Sequence, residues 1–91
     1  MKPTNRRPTH PGLILLTEFI EPMKMTQVEL AERLAIPIQR INTIIRGKRG
    51  VSAETAVLLS REFGTTPEFW LNLQMACDLY DARARLGELR P

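Results

Sequence analysis

Cysteine and histidine are almost absent from this chain of 91 residues, which has one of each, Cys77 and His10. A single cysteine cannot form an intrachain disulfide, and two soft ligands are too few for a structural zinc site, which takes about four. Long apolar runs are absent as well. The longest uncharged apolar run, over residues 12–17, is far shorter than the ~20 residues that span a bilayer. The sequence therefore predicts no metal, no cofactor and no membrane segment.

A secretion signal is also absent from the start of the chain. The first residues read MKPTNRRPTHPG, which is basic and proline-rich and has no apolar stretch before a cleavage site. The lone cysteine suits a reducing compartment. These features predict a cytoplasmic protein with a flexible basic arm over residues 1–10.

The composition of the chain is that of a globular protein. Hydrophobic residues make up 43% and charged residues 25%, which excludes a disordered or a membrane class. A chain of this length builds one hydrophobic core. We therefore expect a single domain over residues 11–91.

The charges are distributed unevenly along the chain, although the net charge is only +3. Between residues 33 and 49 there are five cations and no acid, whereas acids gather before this segment and near the C-terminus. A surface of this kind attracts a polyanion, because neutralised phosphates release their counterions. The alternative is a solvated basic face with no ligand. The five cations are Arg33, Arg40, Arg46, Lys48 and Arg49.

Apolar spacing and end signals predict an all-α fold of five helices and no strands. Pro22 stops the first helix, Thr26 and Glu29 form a T-x-x-E capping box for the second, and Gly47 and Gly64 end the third and fourth. The third is expected to begin with proline at its first position. The predicted helices cover residues 11–21, 27–34, 37–46, 53–63 and 67 to about 86.

The second and third predicted helices have the layout of a helix-turn-helix. Ala31 is small enough for the crossing of two short helices, and a turn of three to four residues joins them. Apolar side chains fix the pair to the core. These are Leu30, Leu34, Ile36, Ile41 and Ile44.

The outward face of the third helix carries the candidate DNA contacts. Glutamine suits adenine, arginine suits guanine, and isoleucine or threonine can meet a thymine methyl group. Gln27 is expected over a phosphate at a helix N-terminus, and the basic turn after the third helix is expected to reach phosphates. In isolation these are ordinary solvent-facing residues, but such a face would normally include acids. The predicted contacts are Gln27, Ile38, Gln39, Arg40, Asn42, Thr43, Arg46, Lys48 and Arg49.

No catalytic residue is expected. A small ribonuclease would need positioned acid and base groups, yet the one histidine, His10, lies in the arm and no carboxylate lies among the basic residues. A module that binds only proteins through the last helix would leave the acid-free RGKRG segment unexplained. The sequence therefore favours a DNA-binding protein that is not an enzyme.

The last predicted helix is longer than the other four can cover. About 20 residues make a helix of roughly 30 Å, and Phe69, Trp70 and Leu73 are expected to close the core. Two-fold operators are read by dimers, so the rest of the helix is expected to pack on a second copy. The predicted interface residues are Cys77, Leu79, Tyr80 and Leu86.

Two segments carry a resemblance to a known family. The run TQVELAERLAIPIQRINTIIRGKRGVSAETA resembles Xre/lambda-repressor-like helix-turn-helix proteins, and the wider run from HPG at His10 to TPEFWLNLQ at 66–74 resembles HigA-type antitoxins. This resemblance implies a five-helix, lambda-repressor-like DNA-binding antitoxin that acts as a homodimer. It further implies neutralisation of a HigB-type, mRNA-cleaving toxin and repression of the operon that encodes both. A stand-alone repressor without a toxin partner is the alternative.

The chain departs from the family pattern at three positions. Ala35 and Lys24 stand where the family often has glycine, and Leu13 stands where it often has glutamate. These departures affect local turns and leave the predicted DNA contacts unchanged. At Ala35 a left-handed backbone is expected to cost some stability.

Overall fold

Helices form all the regular structure in residues 6–87, the part of the chain that the computed structural model describes. The all-α, five-helix prediction is confirmed for these residues. None of their helices has the length and apolarity needed to cross a membrane. The helices are α1 (Pro11–Ile14), which continues as a π-helical segment (Leu15–Ile20), α2 (Gln27–Leu34), α3 (Ile38–Ile45), α4 (Ala53–Phe63) and α5 (Pro67–Arg85).

The π-helical segment differs from the regular helix expected over residues 11–21. The amide of Glu21 donates to the carbonyl of Leu16, five residues earlier, which is the π pattern. Leu15 and Ile20 lie at the two ends of the segment and are both buried. The wider turn thus places two apolar residues five positions apart in the core, which hydrophobic spacing alone does not reveal.

Helix starts follow the predicted capping chemistry. The Thr26 hydroxyl accepts from the amide of Glu29 at 3.0 Å, and the Glu29 carboxylate accepts from the amide of Thr26 at 2.8 Å. The hydrogen bond from the Thr26 backbone lowers the pKa of the Glu29 carboxyl. Ser52 and Thr66 cap α4 and α5 through their hydroxyls. The capping box predicted for the second helix is therefore confirmed.

The start of α3 differs from prediction by one residue. Pro37 is extended, with φ −62° and ψ 143°, and stands as the N-cap, so the helix begins at Ile38. The expectation of proline at the first helical position was wrong, although its fixed φ suits either place. Gly47 follows the helix in the left-handed region, with φ 73°, which confirms the predicted stop.

The core lies where all five helices meet, around Trp70. This side chain is fully buried, and its indole N–H donates to the Thr65 hydroxyl at 2.7 Å. Phe19 packs against the Trp70 ring with centroids 5.2 Å apart, and Phe69 meets the same ring edge-on at 5.0 Å. Leu73 packs against the cluster, whereas Phe69 remains 38% exposed. Trp70 and Leu73 therefore lie in or against the core as predicted, while Phe69 lies at its edge.

The described part of the N-terminal arm lies against α5. The Arg7 guanidinium donates two hydrogen bonds of 2.9 Å to the carboxylate of Asp81, and this pairing lowers the pKa of Asp81. The backbone carbonyls of Pro8 and Thr9 accept from the thiol of Cys77 at 3.4 and 3.7 Å. The prediction of a free arm thus differs from the contacts seen at residues 7–9, and its part over residues 1–5 lies outside the described chain.

Cys77 requires a correction. It was expected to face a second copy of the chain, but its side chain is completely buried, with arm carbonyls against the thiol. This burial raises the pKa of the thiol. Cys77 follows Trp70 by seven residues, two helical turns, and therefore shares its inward face. It belongs to the interior of the protomer.

Among residues 6–87, two residues other than glycine have left-handed backbones, Lys24 with φ 54° and Ala35 with φ 56°. Both are positions at which the sequence departs from the glycine of the family pattern. Crowding of Cβ against the following carbonyl costs roughly 1–2 kcal/mol in this region. The strain expected at Ala35 is therefore present, and Lys24 shares it.

We expect Ala35→Gly and Lys24→Gly each to raise the free energy of unfolding by about 0.5–1 kcal/mol. Relief of the left-handed strain exceeds the added entropy of glycine in the unfolded chain. Denaturant titration measures the change. Ala76→Gly, in the interior of α5 and on its exposed side, is the control and should lower stability by about 0.5–1 kcal/mol. Loss of stability in all three variants would contradict the assignment of strain.

Candidate nucleic-acid interface

The placement of α3 depends on two isoleucines. Ile41 and Ile44 are fully buried, while Leu34 of α2 packs in the same cluster. Between the helices, the amide of Ile36 donates to the carbonyl of Ala31 at 3.1 Å. Ala31 is also buried. The inward side of α3 is thus fixed to α2 and the core, which leaves the opposite side for a ligand.

The start of α1 supports the other end of α3. Gly12 is buried, and a β-carbon at this position would overlap the carbonyl oxygen of Ile44 and approach the Cα of Ile45 to 3.0 Å. The two backbones therefore touch directly. The HPG motif thus has a physical reason for its glycine, which the sequence analysis did not assign.

The outward side of α3 brings several predicted contacts together. Gln39, Arg40 and Thr43 line a shallow depression of about 230 Å³ with Pro37 and with Arg49 of the basic turn. Gln39 and Arg49 are exposed, and Arg40 and Thr43 are half-buried. Residues from the helix and from the turn therefore form one continuous surface.

The remaining predicted contacts do not line this depression. Ile38 is half-buried and packs against the core, and Asn42 is half-buried on the same helix, whereas Arg46 and Lys48 are exposed after its last turn. Arg33 lies apart from this group, because its guanidinium donates to the carboxylate of Glu62 on α4 at 2.8 Å. The cationic surface beside α3 is therefore narrower than the run of five cations indicated.

Thr43 and Gln27 are already oriented by hydrogen bonds. The Thr43 hydroxyl lies 2.9 and 3.1 Å from the carbonyls of Gln39 and Arg40, to which it donates. The Asn42 amide donates to the side-chain oxygen of Gln27 at 3.4 Å. The hydroxyl proton of Thr43 is thus engaged within α3, and the NH₂ group of Gln27 remains a donor at the start of α2.

The basic turn after α3 is held by backbone contacts. The amides of Lys48 and Arg49 both donate to the carbonyl of Thr43, at 2.9 and 3.2 Å. This satisfies a carbonyl at the end of the helix. The turn is thereby folded back beside the outward side of α3, with both cationic side chains exposed.

Gln74 of α5 is a supporting residue that the sequence analysis missed. Its side-chain oxygen accepts from the amide of Val51 at 2.8 Å, and its NH₂ group donates to Asp78 at 2.9 Å. A β-carbon on Gly50 would come within 3 Å of the same amide group. Gln74 is part of the TPEFWLNLQ run, but its role depends on a contact across 23 residues that no local pattern shows.

A second depression extends this surface toward α4. It measures about 380 Å³ and is lined by Arg40 and Arg49 together with residues at the start of α4, among them Glu54. The acid-free segment of the sequence is therefore bordered in space by the carboxylate of Glu54, in addition to that of Glu62 beside Arg33. The described residues contain no cluster of three metal-ligating side chains.

Comparison with known proteins places this geometry in a family. The helix-turn-helix family matches residues 16–70. Antitoxin HigA-1 of Vibrio cholerae serotype O1 is 44% identical over 89 residues, which are 97% of this chain and 83% of the relative. The chain belongs to the HigA family of helix-turn-helix proteins. This family consists of DNA-binding antitoxins and transcriptional regulators, not enzymes.

Two solved structures of this family share the fold. Pseudomonas aeruginosa antitoxin HigA with the higBA promoter superimposes with a TM-score of 0.85 and 39% identity, over 93% of this chain and 98% of that one. Antitoxin GraA in complex with its operator gives a TM-score of 0.81 and 40% identity, over 100% of this chain and 97% of that one. The resemblance and the lambda-repressor-like fold expected from sequence are confirmed.

We expect Gly12→Ala to lower the free energy of unfolding by about 1–3 kcal/mol, because the added methyl group forces the α1 and α3 backbones apart. Thermal and denaturant unfolding measure the loss. Leu13→Ala is the control at the next position, where the side chain is 47% exposed; surface changes usually stay within about 0.5 kcal/mol. Equal stability of the Gly12→Ala variant and the wild type would show that this contact does not place α3.

Proposed function

We propose that this chain is a cytoplasmic, sequence-specific DNA-binding antitoxin that represses its own operon as a homodimer and neutralises a HigB-type, mRNA-cleaving toxin. The observation that carries the proposal is the outward surface of α3. Gln39, Thr43 and Arg49 line one depression there, on a helix that Ile41 and Ile44 fix to the core. Such a surface offers polar contacts in fixed positions.

In this proposal α3 is the helix that enters the major groove. Its N-terminal residues reach base edges in proteins of this kind. Gln39 is exposed and can pair with N6 and N7 of adenine, while Arg40 and Arg46 can pair with O6 and N7 of guanine. Ile38 and the methyl group of Thr43 suit a thymine methyl. Donation by the Thr43 hydroxyl to its own helix supports a mainly apolar contact for that residue.

The flanks of α3 would position the protein on the phosphates. Lys48 and Arg49 stand exposed beside the helix, and Gln27 and Asn42 meet at the N-terminus of α2, where an anion is favoured. Contacts of this kind set register and affinity without carrying sequence information. Arg49 lines the same depression as Gln39. It therefore lies between the proposed base contacts on α3 and the proposed phosphate contacts on its flanks.

The comparisons support the operator and the toxin differently. One relative was solved with the higBA promoter and another with its operator, and both share the fold on which α3 is presented here. The proposed toxin partner is supported only by the family name of relatives such as antitoxin HigA-1. Co-expression with the product of a neighbouring toxin gene would separate an antitoxin from a stand-alone repressor.

An apolar stripe on α5 supports the homodimer. Met75, Leu79 and Leu86 are 53%, 45% and 76% exposed, and with Ala82 they are spaced by four, three and four residues. This spacing places them along one side of the helix. A second copy is the occupant we propose, because two-fold dimers read two half-sites.

The stripe modifies the interface that the sequence suggested. Leu79 and Leu86 remain in it, whereas Met75 and Ala82 are added. Tyr80 follows Leu73 by two turns and is half-buried, and thus stands toward the core side. With Cys77 inside the protomer, the interface shifts to the opposite side of α5.

We expect Gln39→Ala to keep the fold and to lose about 1–3 kcal/mol of discrimination at one or two base pairs, the worth of a bidentate base contact. Affinities for promoter DNA with single base changes measure this loss. Ile44→Ala should instead lower the stability of the domain by about 2–5 kcal/mol, because it truncates a fully buried side chain.

Thermal melting of both variants separates the two effects. The Gln39→Ala variant should melt with the wild type and the Ile44→Ala variant well below it. If Gln39→Ala left the relative affinities for all promoter variants unchanged, α3 would not read DNA through this side, and the proposal would fail in its central point.

We expect Leu79→Glu to convert the dimer to a folded monomer, because two glutamates would be buried against apolar partners. Sedimentation measures the mass, and binding to the full operator should fall more than binding to a single half-site. Leu13→Glu is the matched control, since Leu13 is similarly exposed, at 47%, and glutamate is common there in the family. A Leu79→Glu protein that still sediments as a dimer would place the interface elsewhere.

A further inference from the structure

His10, the one histidine of the chain, lies where four parts of the protein meet. It ends the arm and is the N-cap of α1, where its Nδ1 accepts from the amide of Gly12 at 2.9 Å. Its ring lies about 4 Å from the position of a β-carbon on Gly47, the residue that follows α3 and its cap. The carboxylates of Asp78 and Asp81 on α5 act on the ring electrostatically. The ring therefore contacts the start of α1 at Gly12 and lies beside Gly47, just after the end of α3.

The hydrogen bond to Gly12 requires a neutral imidazole. Nδ1 can accept only while it carries a lone pair, so the ring proton must lie on Nε2. Protonation would turn Nδ1 into a donor that faces the N–H of Gly12, and it would add positive charge at a helix N-terminus, where positive charge is unfavourable. The cap is therefore lost when His10 gains a proton.

The charged groups around His10 shift its pKa in opposite directions. Burial of the ring lowers its pKa most, and the Arg7 guanidinium of the arm lowers it further, whereas Asp78 and Asp81 of α5 raise it. The first turn of α1 carries no acid, and the turn at Gly47 is flanked by the cations Arg46 and Lys48. The pKa of His10 thus falls below its ordinary value of 6.5.

The contact between α1 and α3 links the cap at His10 to the proposed DNA-binding surface. Gly12, whose amide the cap holds, touches the backbone of Ile44. Ile44 is the buried residue near the end of α3, and the amide of Gly47 donates to its carbonyl at 3.0 Å. A change in the first turn of α1 must therefore move the end of α3 and the start of the basic turn.

We propose that His10 is a positioning residue for α3 and makes operator binding sensitive to protons, so that acidification releases the cap of α1 and weakens binding. The part that concerns DNA rests on the proposed function. The sign is opposite to that of simple electrostatics, because an added positive charge beside a basic turn would strengthen binding to phosphates.

The sign on stability follows from the same cap. A histidine whose pKa is lowered in the folded state binds a proton more readily when unfolded. Its contribution is therefore complete above the unfolded pKa of about 6.5 and is lost as the pH falls through that value toward the folded pKa. We expect the wild type to lose stability between pH 7.5 and 5.5 through His10.

His10→Asn is the matched variant, because asparagine is a good N-cap and does not titrate. Affinity for the chain's own promoter DNA is measured at pH 7.5 and 5.5 at constant ionic strength. The wild type should weaken at pH 5.5 by about two- to thirtyfold relative to His10→Asn, the range that corresponds to loss of a cap. His10→Ala should be weak at both pH values with no extra loss at pH 5.5. Equal pH profiles for wild type and His10→Asn would overturn the proposal, as would tighter relative binding by the wild type at pH 5.5.

A readout without DNA keeps this test separate from the proposed function. The amide resonances of Gly12, Ile44 and Gly47 are followed across the same pH range, together with thermal melting. They should shift with the titration of the single histidine in the wild type and stay fixed in His10→Asn. If no variant binds promoter DNA, the proposed function fails while these shifts still test the positioning role. Constant resonances for Ile44 and Gly47 in the wild type would overturn that role.

Discussion

The direct backbone contact between Gly12 and Ile44 is the constraint on which the proposed DNA-binding surface depends. A helix of eight residues such as α3 is too short to be stable alone, so its position is set by what it packs against. Ile41 and Ile44 hold its inward side, but side chains alone allow a helix to slide or rotate. Contact between two backbones allows much less freedom, and it fixes where the outward residues of α3 stand.

Much of the fold could be predicted because its signals are local. The capping box at Thr26 and Glu29 and the stop at Gly47 each act within a few residues of their own position, so the sequence shows them directly. The strain at Ala35, which Ala35→Gly tests, belongs to this class as well. The periodic spacing of apolar residues likewise predicted which side of α3 faces the core. The prediction for Pro37 was wrong by one residue, because the fixed φ of proline suits both the N-cap and the first helical position.

The contacts that could not be predicted join distant parts of the chain. Arg7 meets Asp81 across 74 residues and Cys77 meets Pro8 across 69, and neither pair leaves a pattern in its own neighbourhood. Gln74 and Val51 are a third example. The burial of Cys77 is different, because its two-turn distance from Trp70 was visible in the sequence. The prediction assigned the start of the last helix to the core and the rest to the dimer interface. In the structure the core-facing residues and the exposed apolar residues instead lie on opposite sides along α5.

That division by side explains how one helix can serve several tasks at once. The inward side of α5 closes the core with Trp70 and receives the arm at Cys77, while Gln74 reaches the backbone of Val51 at the end of the basic turn. The apolar stripe runs along the outer side. If a second copy packs on that stripe, the same rigid helix sets the distance between the two α3 helices of the dimer. Half-site spacing would then be determined by the direction of α5, and Gln74 would transmit that direction to the DNA-binding surface.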